Sequence, residues 1–413
     1  GRWGAVMKIL LISPFLPDPE APAGAPRAIY DRVRLLCREH EVTVATLMEP
    51  DEGSPEAPRP LVDAPVRVYA MTRPAAAWHK QLRLAAGLLV GGRPVLVQEF
   101  GSARLCGRLR WLVRGERFDV VLVEHALAAQ YVECLGKDAP PVVFTDHDVR
   151  ASFPTGRASR PNSLLRRLML PLDLLDRALW RRYTRRAYRS AAVVTVPTEE
   201  DAAMVRRVAP GVRVEVVPFG IAVPGEAAGV EQEREPDTLL FVGNFDHPPN
   251  RDAAVWLGRE IMPLVWARRP GARLWLVGRN PTPEVQTLGG ERVTVTGKVP
   301  SVREYLARCS LFVAPLRQGG GMRIKLIEAL GAGTPVVTTT VGARGLDAEA
   351  GRHLLVADTA QEFAEAVVCA LDDPALRARL GAAGRELVRS GLNEDERAAR
   401  LNALLESVAG ERP

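Results

Sequence analysis

Two cations at the start of an apolar helix, just beyond three glycines and a methionine, are the most chemically loaded feature of this 413-residue chain. The segment Ala314-Pro315-Leu316-Arg317-Gln318-Gly319-Gly320-Gly321-Met322-Arg323-Ile324-Lys325-Leu326-Ile327-Glu328-Ala329 follows the apolar run Leu311-Phe312-Val313, which predicts a buried strand ending at Pro315. Glycine lets the backbone take positive φ and approach a ligand with no Cβ in the way. Ile324, Leu326, Ile327 and Leu330 predict a helix packed on a sheet and closed by Gly331 and Gly333. A strand, a glycine loop and a helix N-terminus make an anion site, because free backbone N–H groups converge there. Arg323 and Lys325 oppose the helix dipole in that first turn, which makes sense if an anion binds between them. The plainer reading is a glycine-rich turn with a solvated arginine and a Lys325–Glu328 pair.

Other polar clusters lie at the ends of apolar runs. Val142-Val143-Phe144-Thr145 runs into Asp146-His147-Asp148, at the strand end where α/β folds place ligands. Asp146 and Asp148 could bind a divalent metal, or one of the three residues could cap the next helix. Phe241-Val242 runs into Gly243-Asn244-Phe245-Asp246-His247, and Asn250 beyond it is a candidate helix cap. Gly297-Lys298-Val299-Pro300 closes another strand and reads equally well as a turn with a solvated lysine. The loop from Pro17 to Pro26 contains Gly24 but no G-x-G-x-x-G, so it is not a dinucleotide fingerprint. No Ser-His-Asp order, HExxH or Walker loop supports a hydrolase or an ATPase.

These residues must be held by a large α/β framework. Apolar runs predict strands at Lys8–Ser13, Val42–Leu47, Val66–Ala70, Asp119–Val123, Val142–Thr145, Val193–Val196 and Val214–Val217. A second set follows at Leu239–Val242, Leu274–Val277, Val293–Thr296, Leu311–Val313, Val336–Thr339 and Leu354–Val356, with helical segments between. Two successive βα sets imply two doubly wound domains, 7–218 and 237–392, joined by a Gly- and Pro-rich linker at 219–236. Residues 393–413 close the chain with a periodic helix.

Composition narrows the partners. A net charge of +6 favours nucleotides, phosphates or anionic lipid over neutral ligands, and no basic motif with interleaved aromatics points to nucleic acid. Between Arg157 and Arg189, ten arginines against two aspartates interleave with Leu164, Leu165, Leu168, Leu172, Leu175 and Leu179. That pattern fits an amphipathic helix on an anionic membrane or a long helix with a solvated arginine face. No apolar run reaches membrane-span length; Leu82 to Val97 is broken by Arg83 and Arg93. Cys37, Cys106, Cys134, Cys309 and Cys369 are scattered and read as reduced core thiols of a cytosolic protein. The six residues before Met7 read as an upstream remnant rather than a signal peptide.

The glycine loop, the helix with Glu328 and the following Ala-Leu-Gly-Ala-Gly-Thr-Pro-Val-Val resemble the nucleotide-sugar site of retaining GT-B glycosyltransferases of family four, in a Gly-Gly-Gly-x-Arg-x-Lys-x-x-Glu branch. The resemblance implies two Rossmann-like domains facing across a cleft, with the C-terminal helix crossing back to the first. It implies that Glu328 binds the ribose, that the backbone at Val299 meets the base, and that Gly24 and His147 lie near the phosphates and the transferring sugar. Gly243, Asn244, Gly319, Gly320, Gly321 and Met322 fall on its donor-binding positions. Two departures stand out: Gly320 replaces a sugar-contacting glutamate, and the usual Arg and Lys after Gly243 are missing. Arg323 and Lys325 are the cations placed to take over the diphosphate. The implied function is retaining transfer of a hexose from a nucleotide-sugar to a glycan, lipid-linked or small-molecule acceptor, with no metal or other cofactor. The implied location is cytoplasmic, with peripheral membrane contact left open. A GT-B epimerase or a non-catalytic nucleotide-sugar-binding protein are the alternatives.

Overall fold

The computed structural model describes residues 6–18, 24–48, 66–72, 92–136, 138–147, 149, 164–218, 234–319, 323–391 and 394–410. The chain forms two compact bodies, one of residues 1–17, 32–218 and 398–413, the other of 18–31 and 219–397.

The first body is built on a seven-stranded sheet. Its order is β3 (Arg67–Thr72), β2 (Glu41–Met48), β1 (Lys8–Ser13), β4 (Val120–Glu124), β5 (Val142–Thr145), β6 (Val193–Val196) and β7 (Val214–Val216). Every pairing is parallel, with Ile9 opposite Val42 on one side and Val120 on the other. A parallel sheet is covered on both faces, which is why its central strands are continuous apolar runs. Ile9 to Ile12 and Val120 to Val123 are all fully buried. Chain order reverses between β1 and β4, the switch point where such sheets leave room for ligands.

Helices α1 (Ala25–Leu36), α2 (Ala103–Gly115), α3 (Leu164–Ser190) and α4 (Glu199–Val208) are the crossovers that bear on the site. Along the described part of α3, Thr184, Ala187 and Tyr188 are buried while Arg181, Arg182, Arg185, Arg186 and Arg189 are exposed, a solvated arginine face. The side chains of Leu164, Leu165, Leu168 and Leu172 lie outside the described residues. Near the C-terminus, Asn402 donates to Glu39 at 2.7 Å, and Leu401, Leu404, Leu405 and Val408 are buried.

The cysteine expectation needs correction. Cys106 on α2 and Cys134, at the end of the 3₁₀ segment Ala126–Cys134, form a disulfide across a Cα separation of 5.5 Å. Only Cys309 is a buried free thiol; Cys37 is half-buried and Cys369 is exposed. Spacing along a sequence says nothing about which cysteines a fold brings within disulfide reach.

The second body carries a six-stranded parallel sheet: β10 (Val293–Gly297), β9 (Arg273–Val277), β8 (Glu235–Val242), β11 (Cys309–Ala314), β12 (Val336–Thr338) and β13 (Leu355–Val356). Phe241, Phe245, Phe312 and Phe363 are fully buried in its core, and order reverses between β8 and β11. Among the described residues, all thirteen strands coincide with predicted apolar runs to within a few residues.

The loops leaving β8 and β9 touch. A Cβ on Gly278, at φ +144°, would stand 1.9 Å from the Gly243 carbonyl oxygen. Gly278→Ala is therefore expected to cost about 3 kcal/mol or more in chemical denaturation. Gly211→Ala, at φ +84° with nothing within 4 Å of the new Cβ, serves as the comparison. It carries only the left-handed backbone penalty of about 1 kcal/mol.

Candidate active site

The second body gathers polar groups at the ends of β8, β9 and β11. Helix α5 (Pro248–Trp256) follows β8, with His247 as its N-cap residue. Asn250 lies in its first turn and does not cap it, contrary to the sequence expectation. Its Nδ2 donates to the Asn244 carbonyl at 2.9 Å, and its Oδ1 accepts from Lys325 Nζ at 2.6 Å. Gly243 makes room for this carboxamide, since a Cβ there would lie 2.9 Å from Asn250 Cγ.

Lys325 opens helix α6 (Ile324–Gly331) and is 8% exposed. It hydrogen-bonds to Asn250 rather than to Glu328, and its ammonium stands 4.9 Å from the centre of the Phe241 ring. Burial pushes its pKa down to about 7; the charge of Arg323 adds to the fall and Glu328 opposes it. Arg323 is half-buried. A Cβ on Gly319, at φ +112°, would lie 3.1 Å from Arg323 Nη1, so the guanidinium rests against the glycine loop. Arg317 is committed elsewhere, bidentate on Asp252 at 3.0 and 2.6 Å. Gly320, Gly321 and Met322 lie outside the described residues.

The remaining donor-side candidates also belong to the second body. Glu328 is half-buried one turn beyond Lys325, and Val299 packs partly buried on the core. The Gly278 N–H donates to the Gly297 carbonyl at 3.1 Å, tying the ends of β9 and β10 together. Gly24 takes φ +95° just before α1, and its carbonyl accepts from the Ala28 N–H at 3.2 Å. Sequence reasoning missed Arg279 at the end of β9, whose Nη2 lies 3.4 Å from Asp18 Oδ2.

In the first body, His147 is buried after β5 and its Nε2 lies 2.6 Å from Glu124 Oε2. An ionised carboxylate only accepts, so Nε2 carries the proton. Glu124 is fully buried at the end of β4. Burial alone would raise its pKa, but Arg32, 3.3 Å away, and the hydrogen bonds from His147 and Thr145 outweigh that and hold it below the usual carboxylate value. Thr145 Oγ1 also accepts from Arg32 at 3.0 Å and from Thr195 at 2.9 Å. His125 sits at φ 73°, a strained region for a non-glycine residue, with its ring 5.8 Å from that of His147. Burial, then the charge of His147, pushes its pKa down to about 3. The Asp146 carboxylate accepts from Tyr188 at 2.7 Å, and Asp148 lies outside the described residues. Among the described residues no three His, Cys, Asp or Glu side chains converge as metal ligands would. Arg32, Glu124 and His125 were missed, although the strand-end rule that singled out His147 applies equally to Glu124 and His125.

One cluster is thus a pair of cations at a helix N-terminus after a glycine loop. The other is a histidine oriented by a buried carboxylate, able to donate or move a proton.

The Glycosyl transferases group 1 family matches residues 236–373, and the Glycosyl transferase 4-like domain matches 23–220. The phosphatidyl-myo-inositol mannosyltransferase of Mycobacterium tuberculosis is 30% identical over 213 residues, covering 47% of this chain and 54% of its own. The chain spans about half the length of the curated relatives it matches. Among solved structures, sucrose-phosphate synthase from Thermosynechococcus elongatus superposes with a TM-score of 0.70 at 19% identity, covering 98% of this chain and all (100%) of its own. Anabaena HepE in complex with UDP and glucose gives 0.62 at 15% identity, covering 97% and 100%. These likenesses carry the fold, two parallel α/β sheets of the GT-B kind. With both of its halves matched in order by the two domains of one family, the chain belongs to the group 1, family-four glycosyltransferases.

Proposed function

We propose that the protein is a retaining glycosyltransferase that moves a hexose from a nucleoside-diphosphate sugar to an acceptor hydroxyl. The observation that carries this reading is the buried Lys325 ammonium at the start of α6, with the Arg323 guanidinium resting against Gly319 beside it. Breaking an anomeric bond to a diphosphate develops negative charge on the leaving group. Fixed cations and loop amides in a dry site stabilise that charge without reorganising. Arg323, Lys325 and the amides of Gly319, Gly320 and Gly321 are assigned to this role, Glu328 to the ribose, Val299 to the base and His147 to the sugar or acceptor hydroxyl. Gly24, Gly243, Asn244 and Met322 complete the assigned donor side. The mannosyltransferase activity of the mycobacterial relatives supports a hexosyl donor, mannosyl first, and the ligands of HepE support a nucleoside diphosphate. The acceptor is a glycan, lipid-linked or small-molecule hydroxyl; the exposed arginines of α3 favour peripheral contact with an anionic membrane. Gly320, in place of an acidic residue, is the feature that would favour a protein binding the donor without turnover.

Three outcomes test the assignment. In calorimetry against UDP, GDP and their hexose conjugates with EDTA present, Arg323→Ala should weaken nucleotide binding by about tenfold to a hundredfold, the loss of one charge-assisted contact. Unchanged affinity would end the idea that the diphosphate charge is met here. The pH response has a definite sign. Lys325 lies near 7 in the free protein, and an arriving diphosphate favours its charged form, raising that value. Affinity is then full below the free value and falls as pH rises toward the bound one, by up to about tenfold per pH unit, with proton uptake near neutrality. His147→Ala should lower the transfer rate by about a hundredfold or more while donor affinity stays within about threefold. Donor binding with no transfer or hydrolysis by the wild type, across the acceptor classes, would leave the binding-protein reading.

A further inference from the structure

We propose that Asn250 is a positioning residue for Lys325, its carboxamide seated in the space left by the missing Cβ of Gly243 and holding the ammonium over the Phe241 ring. The inference rests on the reading of Lys325 as a cation of the donor site.

The geometry leaves the carboxamide one orientation. Nδ2 donates to the Asn244 carbonyl at 2.9 Å, so Oδ1 must turn the other way, toward Nζ at 2.6 Å. Asn244 is itself fixed, its Oδ1 accepting from the Asp246 N–H at 3.2 Å. An ammonium has three protons. One goes to Asn250 and the π face of Phe241 attracts the positive end, which leaves donor capacity for an anion.

The choice of a neutral partner matters. A carboxylate at this position would hold the lysine equally well but cancel the charge a diphosphate needs. Among the described residues no carboxylate forms an ion pair with Nζ, and Glu328 acts on it only through its charge. Glu328 sits a turn away on the same helix, and Asp252, two residues beyond Asn250 on α5, is taken by Arg317. Arg323 is the other charge acting on Lys325. Gly243 acquires a specific reason as well. The atom its side chain would strike belongs to Asn250, at 2.9 Å, so glycine here serves the lysine's support.

The test uses the full chain, with Lys325 acetylation by acetic anhydride followed across pH by peptide mass spectrometry, and with UDP and GDP affinity measured in parallel. Asn250→Asp preserves shape, and should move the pH midpoint of Lys325 reactivity upward by about one unit or more. It should also weaken nucleotide binding by about tenfold, through the added negative charge. Gly243→Ala, which displaces the carboxamide without touching its chemistry, should raise the accessibility of Lys325 and weaken binding by a similar factor. A Lys325 midpoint and reactivity unchanged in both variants overturns the positioning role, whatever happens to affinity. A shifted midpoint with wild-type affinity in both variants supports the positioning role and instead overturns the donor-site reading of Lys325.

Discussion

Parallel strand pairing is the constraint from which the rest follows. A parallel neighbour can be reached only by a crossover that returns the chain to the end it left, so within each body all strands point the same way. Polar residues at strand C-termini therefore collect along one edge of each sheet, however far apart they lie in sequence. Glu124 and His147 meet because β4 and β5 are neighbours; Asn250 and Lys325 meet because β8 and β11 are. The interior of the sheet needs only apolar side chains that fit both faces, and chemistry is confined to where the strands stop.

The two clusters solve opposite electrostatic problems. Glu124 is a buried anion answered by a full cation, Arg32, and by hydrogen bonds from His147 and Thr145, so it stays ionised in the core. Its lasting charge fixes which nitrogen of His147 holds the proton. Lys325 is a buried cation answered by a carbonyl oxygen and an aromatic face, and its charge is held only weakly. The first arrangement suits a side chain that must keep one orientation. The second suits a group whose natural counter-ion arrives with the substrate.

Much of this framework was legible in the sequence because its signals are local. Runs such as Lys8–Ser13 and Val193–Val196 are apolar for reasons that hold within a few residues, and the strands lie where those runs lie. The glycine loop and its cations stood out because positive charge at a helix start contradicts a local rule. What escaped was long-range. Arg32 reaches Glu124 from another element, and nothing near either residue announces the pair. Asn250 looked like a helix cap because asparagine near a helix start usually is one, and only the folded position of Lys325 gives its side chain another use. The pairing of Cys106 with Cys134 likewise depends on how α2 packs on the 3₁₀ segment.

The contact between Gly243 and Gly278 also bears on how such a site can change over generations. Gly243 is bounded by the Asn250 carboxamide on its side-chain side, and its carbonyl blocks any side chain at Gly278. Positions that share atoms in this way do not respond independently to substitution. A lineage that replaced Asn250 with a smaller residue would open space for a side chain at Gly243, while Gly278 would still face the Gly243 carbonyl, held in place by the Gly243 N–H bond to Val277. A side chain added at Gly243 first would instead meet the Asn250 carboxamide. The route by which this loop diversifies is thus directional, with Asn250 as its gate.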